Sequence, residues 1–232
     1  MRKLICAAAV TVSAFFSSSA NAEDRPVVVE LFTSQGCSSC PPADAYLHEL
    51  AKRSDVVALA LHVDYWDYIG WKDSFADPAY TARQRSYARV QSERVVYTPQ
   101  LMINGVEHVV GNRRNEVANA VNKHAQSASV VSVDAYRRAG EVVVTLSKTN
   151  RPGNFDVHLV TVVRNSAVEI LRGENAGKTI TYANVVRDWR TIGNWNGQSG
   201  IKLSGPMAST GQQVVVVQRH GQGEIISAAW VK

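Results

Sequence analysis

The chain has 232 residues, 45% hydrophobic and 19% charged, with 25 basic against 20 acidic side chains. This is the composition of a globular protein and excludes a disordered or collagen-like chain. The net charge of +5 falls to +3 when residues 1–22, which hold Arg2 and Lys3 and no acid, are set aside. That excess is too mild to demand nucleic acid or an anionic membrane, and no apolar run approaches the roughly 18 residues of a spanning helix.

Met1-Arg2-Lys3, the apolar run Leu4 to Phe16 and the ending Ala20-Asn21-Ala22 have the layout of a secretory signal peptide over residues 1–22. Cleavage there starts the mature chain at Glu23 and sends it to a periplasmic or secreted location. It also removes Cys6, so only Cys37 and Cys40 remain.

Val27 to Thr33 is a near-continuous apolar, β-branched run and predicts a buried strand. Pro41 and Pro42 fall at the start of a predicted helix carrying Leu47, Leu50 and Ala51, where a missing N–H costs little. Val56 to Val63 predicts a second buried strand, making a βαβ unit whose strands run parallel. An aromatic loop, Tyr65 to Trp71, follows. Asp77-Pro78 then opens a helix through about Gln91. Gln100 to Ile103 and Val106 to Val110 flank Asn104-Gly105, a two-residue hairpin turn. Asn112 is placed to cap a last helix bearing Val117, Ala120, Val121 and Ala125.

From Val130 onward the pattern is short strands: Val130–Val133, Val142–Leu146, Val157–Val163, Thr179–Val186, Val214–Gln218 and Ile225–Val231. The expected organisation is an α/β domain over residues 23–128 and an all-β, sandwich-like C-terminal domain over residues 129–232. No nucleophile–base set or phosphate loop is identifiable in the latter.

The chemistry is concentrated in Cys37-Ser38-Ser39-Cys40. As an inert staple, a four-residue disulfide loop contributes only about 2 kcal/mol. At the start of a helix after a buried strand, by contrast, unpaired N–H groups and the helix dipole favour the Cys37 thiolate. Cys40, one turn on, then resolves the mixed disulfide. The sequence thus predicts a thiol–disulfide oxidoreductase with no organic cofactor, acting on protein or peptide thiols and recharged by a redox partner.

The order strand, Cys-x-x-Cys helix, strand, helix, Thr98-Pro99, strand, Asn104-Gly105, strand, helix resembles the thioredoxin fold. The segments Phe32–Asp44, His62–Asp73 and Arg172–Lys178 resemble, more narrowly, a family of bacterial secreted thioredoxin-like proteins known as domain of unknown function 1223. The resemblance implies a cis Thr98-Pro99 bond lying against Cys37, with the backbone of Thr98 pairing with extended substrate. Ser38, Ser39, Tyr65 and Trp66 would complete the substrate face. It also implies that Glu30, the one charge in the first strand, is a buried acid of raised pKa serving Cys40; the alternative is a glutamate bonded to loop N–H groups. The aromatic loop reads either as part of a peptide surface or as a plug between the halves. Arg83, Arg85, Arg89 and Arg94 form either a solvated helix face or an anion site. Two other classes stay open: copper(I) or zinc binding through Cys37, Cys40 and His62, and a redox-dead protein-binding module.

Overall fold

The computed structural model describes residues 26–126 and 131–232. The predicted signal peptide and the boundary at residues 128/129 lie outside them. Strand β1 (Val27–Thr33) leads into helix α1 (Pro41–Leu50), strand β2 (Val56–His62), a single turn at Asp67–Ile69 and helix α2 (Pro78–Val90). The hairpin β3 (Gln100–Ile103) and β4 (Glu107–Val110) precedes helix α3 (Arg114–Ala125). Then come β5 (Val133–Arg138), β6 (Glu141–Leu146), β7 (Phe155–Glu169), β8 (Thr179–Trp195), β9 (Ile201–Pro206), β10 (Gln212–Arg219) and β11 (Ile225–Trp230).

Local chemistry explains the element ends. Pro41 and Pro42 occupy the first turn of α1, and the Asp77 side chain accepts from Ala79 N at 2.8 Å to cap α2. Asn104 (φ 45°) and Gly105 (φ 71°) both sit left-handed in the hairpin turn. A Cβ on Gly105 would lie 2.6 Å from the Gly223 carbonyl oxygen, so only glycine fits. Asn112 does not cap α3: the helix starts later, its N-cap is Arg113, and no side chain bonds there.

β1 and β2 pair in parallel from Val27 opposite Val56 to Thr33 opposite His62. Every residue of both strands is buried, so both faces of this pair are covered. Alternation sorts them. Val27, Val29 and Leu31 face α1 and α3 in one core, whereas Val28 and Phe32 face Tyr80 and Tyr87 of α2 and residues of β7, β10 and β11 in another.

The two expected halves share one sheet. Its eight strands run in the order β11-β10-β7-β8-β2-β1-β3-β4, with β8 joined to the free edge of β2 in parallel at Ala60 and Val185. An edge as apolar as Val56–Leu61 needs a neighbouring strand. The sheet of β5, β6 and β9 packs on the far end of the large one, through a core including Val142, Val144, Phe155, Leu159 and Val215. Strands β7, β8, β10 and β11, expected in a separate C-terminal domain, therefore belong to the same sheet as the N-terminal strands. Among the described residues, no helix is long and apolar enough to cross a membrane.

Candidate functional site

Cys37 and Cys40 form a disulfide with a Cα–Cα distance of 5.4 Å, and Cys40 is the N-cap of α1. No side chain caps that helix end, so its N–H groups leave positive potential beside the bridge. Cys37 Sγ lies 3.4 Å from the Ser39 hydroxyl. Ser38 and Ser39 are exposed, while both cysteines are 0% exposed.

The Thr98-Pro99 peptide is cis. Ser39 Oγ donates to Thr98 O at 3.5 Å. A Cβ on Gly111 would sit 3.0 Å from Ala43 Cβ and 3.1 Å from Pro99 Cβ, which places the proline beside the first turn of α1. Trp66 Nε1 donates to Thr98 Oγ1 at 2.8 Å, and Trp66 and Ile69 press on Gly36. Trp71 Nε1 donates to Gln35 Oε1 at 2.8 Å. The aromatic loop therefore covers the segment leading into Cys37, and Trp66 bridges that cover to the cis-proline loop. From the β7–β8 connection, buried Asn175 donates through Nδ2 to Gln35 O and to Cys37 O, both at 2.9 Å.

Glu30 is buried but does not serve Cys40. Strand alternation puts it on the α2 face, away from α1. Arg83 Nε donates to its Oε1 at 2.6 Å and the Tyr87 hydroxyl to its Oε2 at 2.5 Å. Arg83 also donates to Gln218 Oε1 at 3.0 Å and lies 3.7 Å from the centre of the Trp189 ring. This ion pair ties β1 and α2 to β8 and β10; it does not bond the loop N–H groups considered for it.

The acid on the α1 face is Asp44, four residues after Cys40 and so one turn along the same side of the helix. Its N–H donates to Cys40 O at 3.0 Å, and its Oδ1 accepts from Thr33 Oγ1 at 2.8 Å. Burial pushes its pKa up to about 7, against the nearby His62 and the Thr33 bond, with Asp73 adding to the rise. His62 Nδ1 bonds Asp73 Oδ2 at 2.7 Å. Asp73 also accepts from the N–H groups of Gln35 and Phe75 at 2.8 Å each. The His62 ring meets Tyr182 and Phe75 edge-on. Asp44 Oδ2, His62 Nε2 and the Tyr182 hydroxyl are buried and, among the described residues, have no hydrogen-bond partner. They form a buried polar cluster beside α1, contributed by both halves of the chain.

Asp44, Asp73, Tyr182 and Asn175 were not among the sequence-predicted site residues. Asp44 closes the segment Phe32–Asp44, Asp73 closes His62–Asp73 and Asn175 lies within Arg172–Lys178, three stretches that carry the family resemblance without giving these residues a role. Asp64 and Asp67 serve as loop acceptors, for Thr81 Oγ1 at 2.6 Å and Asp73 N at 3.0 Å. Among the described residues, no three His, Cys, Asp or Glu side chains are grouped to hold a metal ion.

A two-cysteine turn capping a helix, over a buried carboxylate and against a proline loop, defines a protein built around a disulfide at a helix N-terminus. Residues 28–218 match the family described as protein of unknown function DUF1223, and the chain belongs to that family. The X-ray structure of protein AGR_C_4864 from Agrobacterium tumefaciens is similar at 33% identity and a TM-score of 0.77, covering 88% of this chain and 92% of that one. HBP35 of Porphyromonas gingivalis, 14% identical with a TM-score of 0.55, covers 89% of this chain and 74% of its own, a likeness of fold. No curated protein matches the chain.

Proposed function

We propose that this protein is an exported thiol–disulfide oxidoreductase of thioredoxin-like fold, with Cys37 as nucleophile and Cys40 as resolving thiol. The observation that carries the reading is the position of the bridge: at the uncapped N-terminus of α1, with Asp44 buried one turn below and Thr98-Pro99 alongside.

In the reduced form, the Cys37 thiolate attacks one sulfur of a partner disulfide. The partner S–S bond breaks, one partner thiolate leaves, and a mixed disulfide forms. Cys40 gives its proton to Asp44 and attacks Cys37 Sγ. The mixed bond breaks, the second partner thiolate leaves, and the Cys37–Cys40 bridge forms. Two electrons have passed to the partner, whose thiolates take protons from water. A partner dithiol runs the sequence backwards, and a second thiol–disulfide couple restores the starting form. The Cys37–Cys40 pair carries the electrons, so no organic cofactor enters. Thr98, Ser38, Ser39, Tyr65 and Trp66 form the face on which the partner lies.

Because Cys37 is 0% exposed, attack requires the segments around it to open, the contact of Trp66 on Gly36 among them. The same burial supports a second reading, a binding module with an inert bridge. Trapping separates them. Exchange predicts that reduced Cys40→Ser accumulates a mixed disulfide with a model disulfide peptide through Cys37, and that Cys37→Ser does not. No trapped species with either variant would favour the inert bridge.

A further inference from the structure

The four arginines of the α2 region part company in the fold. Arg83 is consumed by Glu30, but Arg85 and Arg89 are exposed and, among the described residues, neither has an ion-pair partner. Both line a cavity of about 440 Å³ with Pro78, Thr81 and Ala82, one stripe of α2, facing Asp64 and Tyr65 of the loop after β2. The Asp64 carboxylate is occupied by the Thr81 hydroxyl at 2.6 Å. Arg89 donates only to Ser86 Oγ, at 2.7 Å.

This cavity adjoins the exchange site. Tyr65, one of its walls, donates its hydroxyl to Gln84 Oε1 at 3.2 Å, and Gln84 Nε2 donates to Tyr97 O at 2.8 Å, the residue before Thr98. Its neighbour Trp66 holds the Thr98 side chain. A chain laid against Thr98 and continued over Tyr65 therefore meets two guanidiniums with unused donors, suited to carboxylates.

We propose that this groove recognises an acidic segment of the partner polypeptide, a few residues from its reacting cysteine. The inference rests on the exchange reading and supplies the substrate class for it. Disulfide peptides with Glu-rich, neutral and Lys-rich flanks would be compared by kcat/KM at low salt. Two exposed charge pairs predict an acidic-to-neutral ratio of about threefold to tenfold, falling toward one in about 0.5 M salt. The ratio should also fall toward one in Arg85→Gln/Arg89→Gln and persist in Arg137→Gln/Arg138→Gln, a charge-matched change at two exposed positions of β5.

A second arm uses cysteine-free versions of the three peptides on the oxidised protein, followed by amide NMR shifts. Shifts along the α2 stripe with the acidic peptide alone are expected. Equal response to acidic and Lys-rich peptides in either arm, or a ratio unchanged in the double variant, would overturn the proposal. If no peptide disulfide reacts at all, the exchange reading fails, while the shift experiment still decides what the groove binds.

Discussion

Replacing Asp44 by asparagine removes the ionisation but keeps an acceptor for the Thr33 hydroxyl, so its effect on stability must depend on pH. The folded pKa of about 7 stands against an ordinary 3.8. Below pH 3.8 the carboxyl is protonated in folded and unfolded chains alike, and it makes no difference. Between those values the unfolded chain ionises and the folded chain does not, so the wild type loses about 1.4 kcal/mol of stability per pH unit. Above pH 7 both forms are ionised, and the loss levels off at about 4 kcal/mol. Asp44→Asn should therefore gain on the wild type from pH 4 to pH 7 and hold that gain at pH 8. Urea unfolding of the two oxidised proteins in parallel across this range reads the difference directly. A difference that stays flat with pH would refute the buried, proton-holding Asp44. If Asp44 takes the Cys40 proton as proposed, the same variant should resolve its mixed disulfide more slowly near pH 7 in the reduced protein.

Glu30→Gln strands the buried Arg83 charge and should cost about 3–5 kcal/mol in urea unfolding, while leaving the pH profile of resolution by Cys40 in place. Trp66→Ala removes the bond to Thr98 and the contact on Gly36. Losing roughly 1.4 kcal/mol of closure should speed reduction of the bridge by dithiothreitol about tenfold; an unchanged rate would place access elsewhere. Asn175→Ala leaves the Gln35 carbonyl without its donor and the Cys37 carbonyl with the Cys40 N–H alone, and should destabilise the oxidised protein by about 1–3 kcal/mol. That cost is read as a lower urea midpoint.

Helices α1 and α2 and the β3–β4 hairpin were legible because each is bounded by residues with a single steric reason to be there, whereas the Asn112 cap expected for α3 is not made. Pro41 and Pro42 open α1, Asp77-Pro78 opens α2, and Asn104-Gly105 turns the β3–β4 hairpin. Most of the C-terminal strands were legible as strands but not as part of the same sheet, and the expected Val130–Val133 meets β5 only at Val133. The joining strand β8 continues past Val186 into Arg187-Asp188-Trp189-Arg190, whose polar side chains end an apolar run although the backbone goes on pairing with β7. Strand β9, Ile201–Pro206, was missed because it is short and its exposed positions carry Lys202 and Ser204. The site misled in one residue. Glu30 and the cysteines are close in sequence, but strand alternation, which decides the face, sends Glu30 to α2 and leaves Asp44 as the buried acid one helical turn after Cys40. Asn175 and Tyr182 reach the site from about 140 residues away, a distance that periodicity does not cross.

The central claim is that Cys37 and Cys40 cycle between bridge and thiols. A redox titration of the mature protein in glutathione and dithiothreitol buffers tests it most directly, with free thiols counted by alkylation and mass. A reversible two-electron couple between about −120 and −300 mV is expected, and one that vanishes in Cys37→Ser. A bridge that stays closed across that range, or opens only on unfolding, would contradict it.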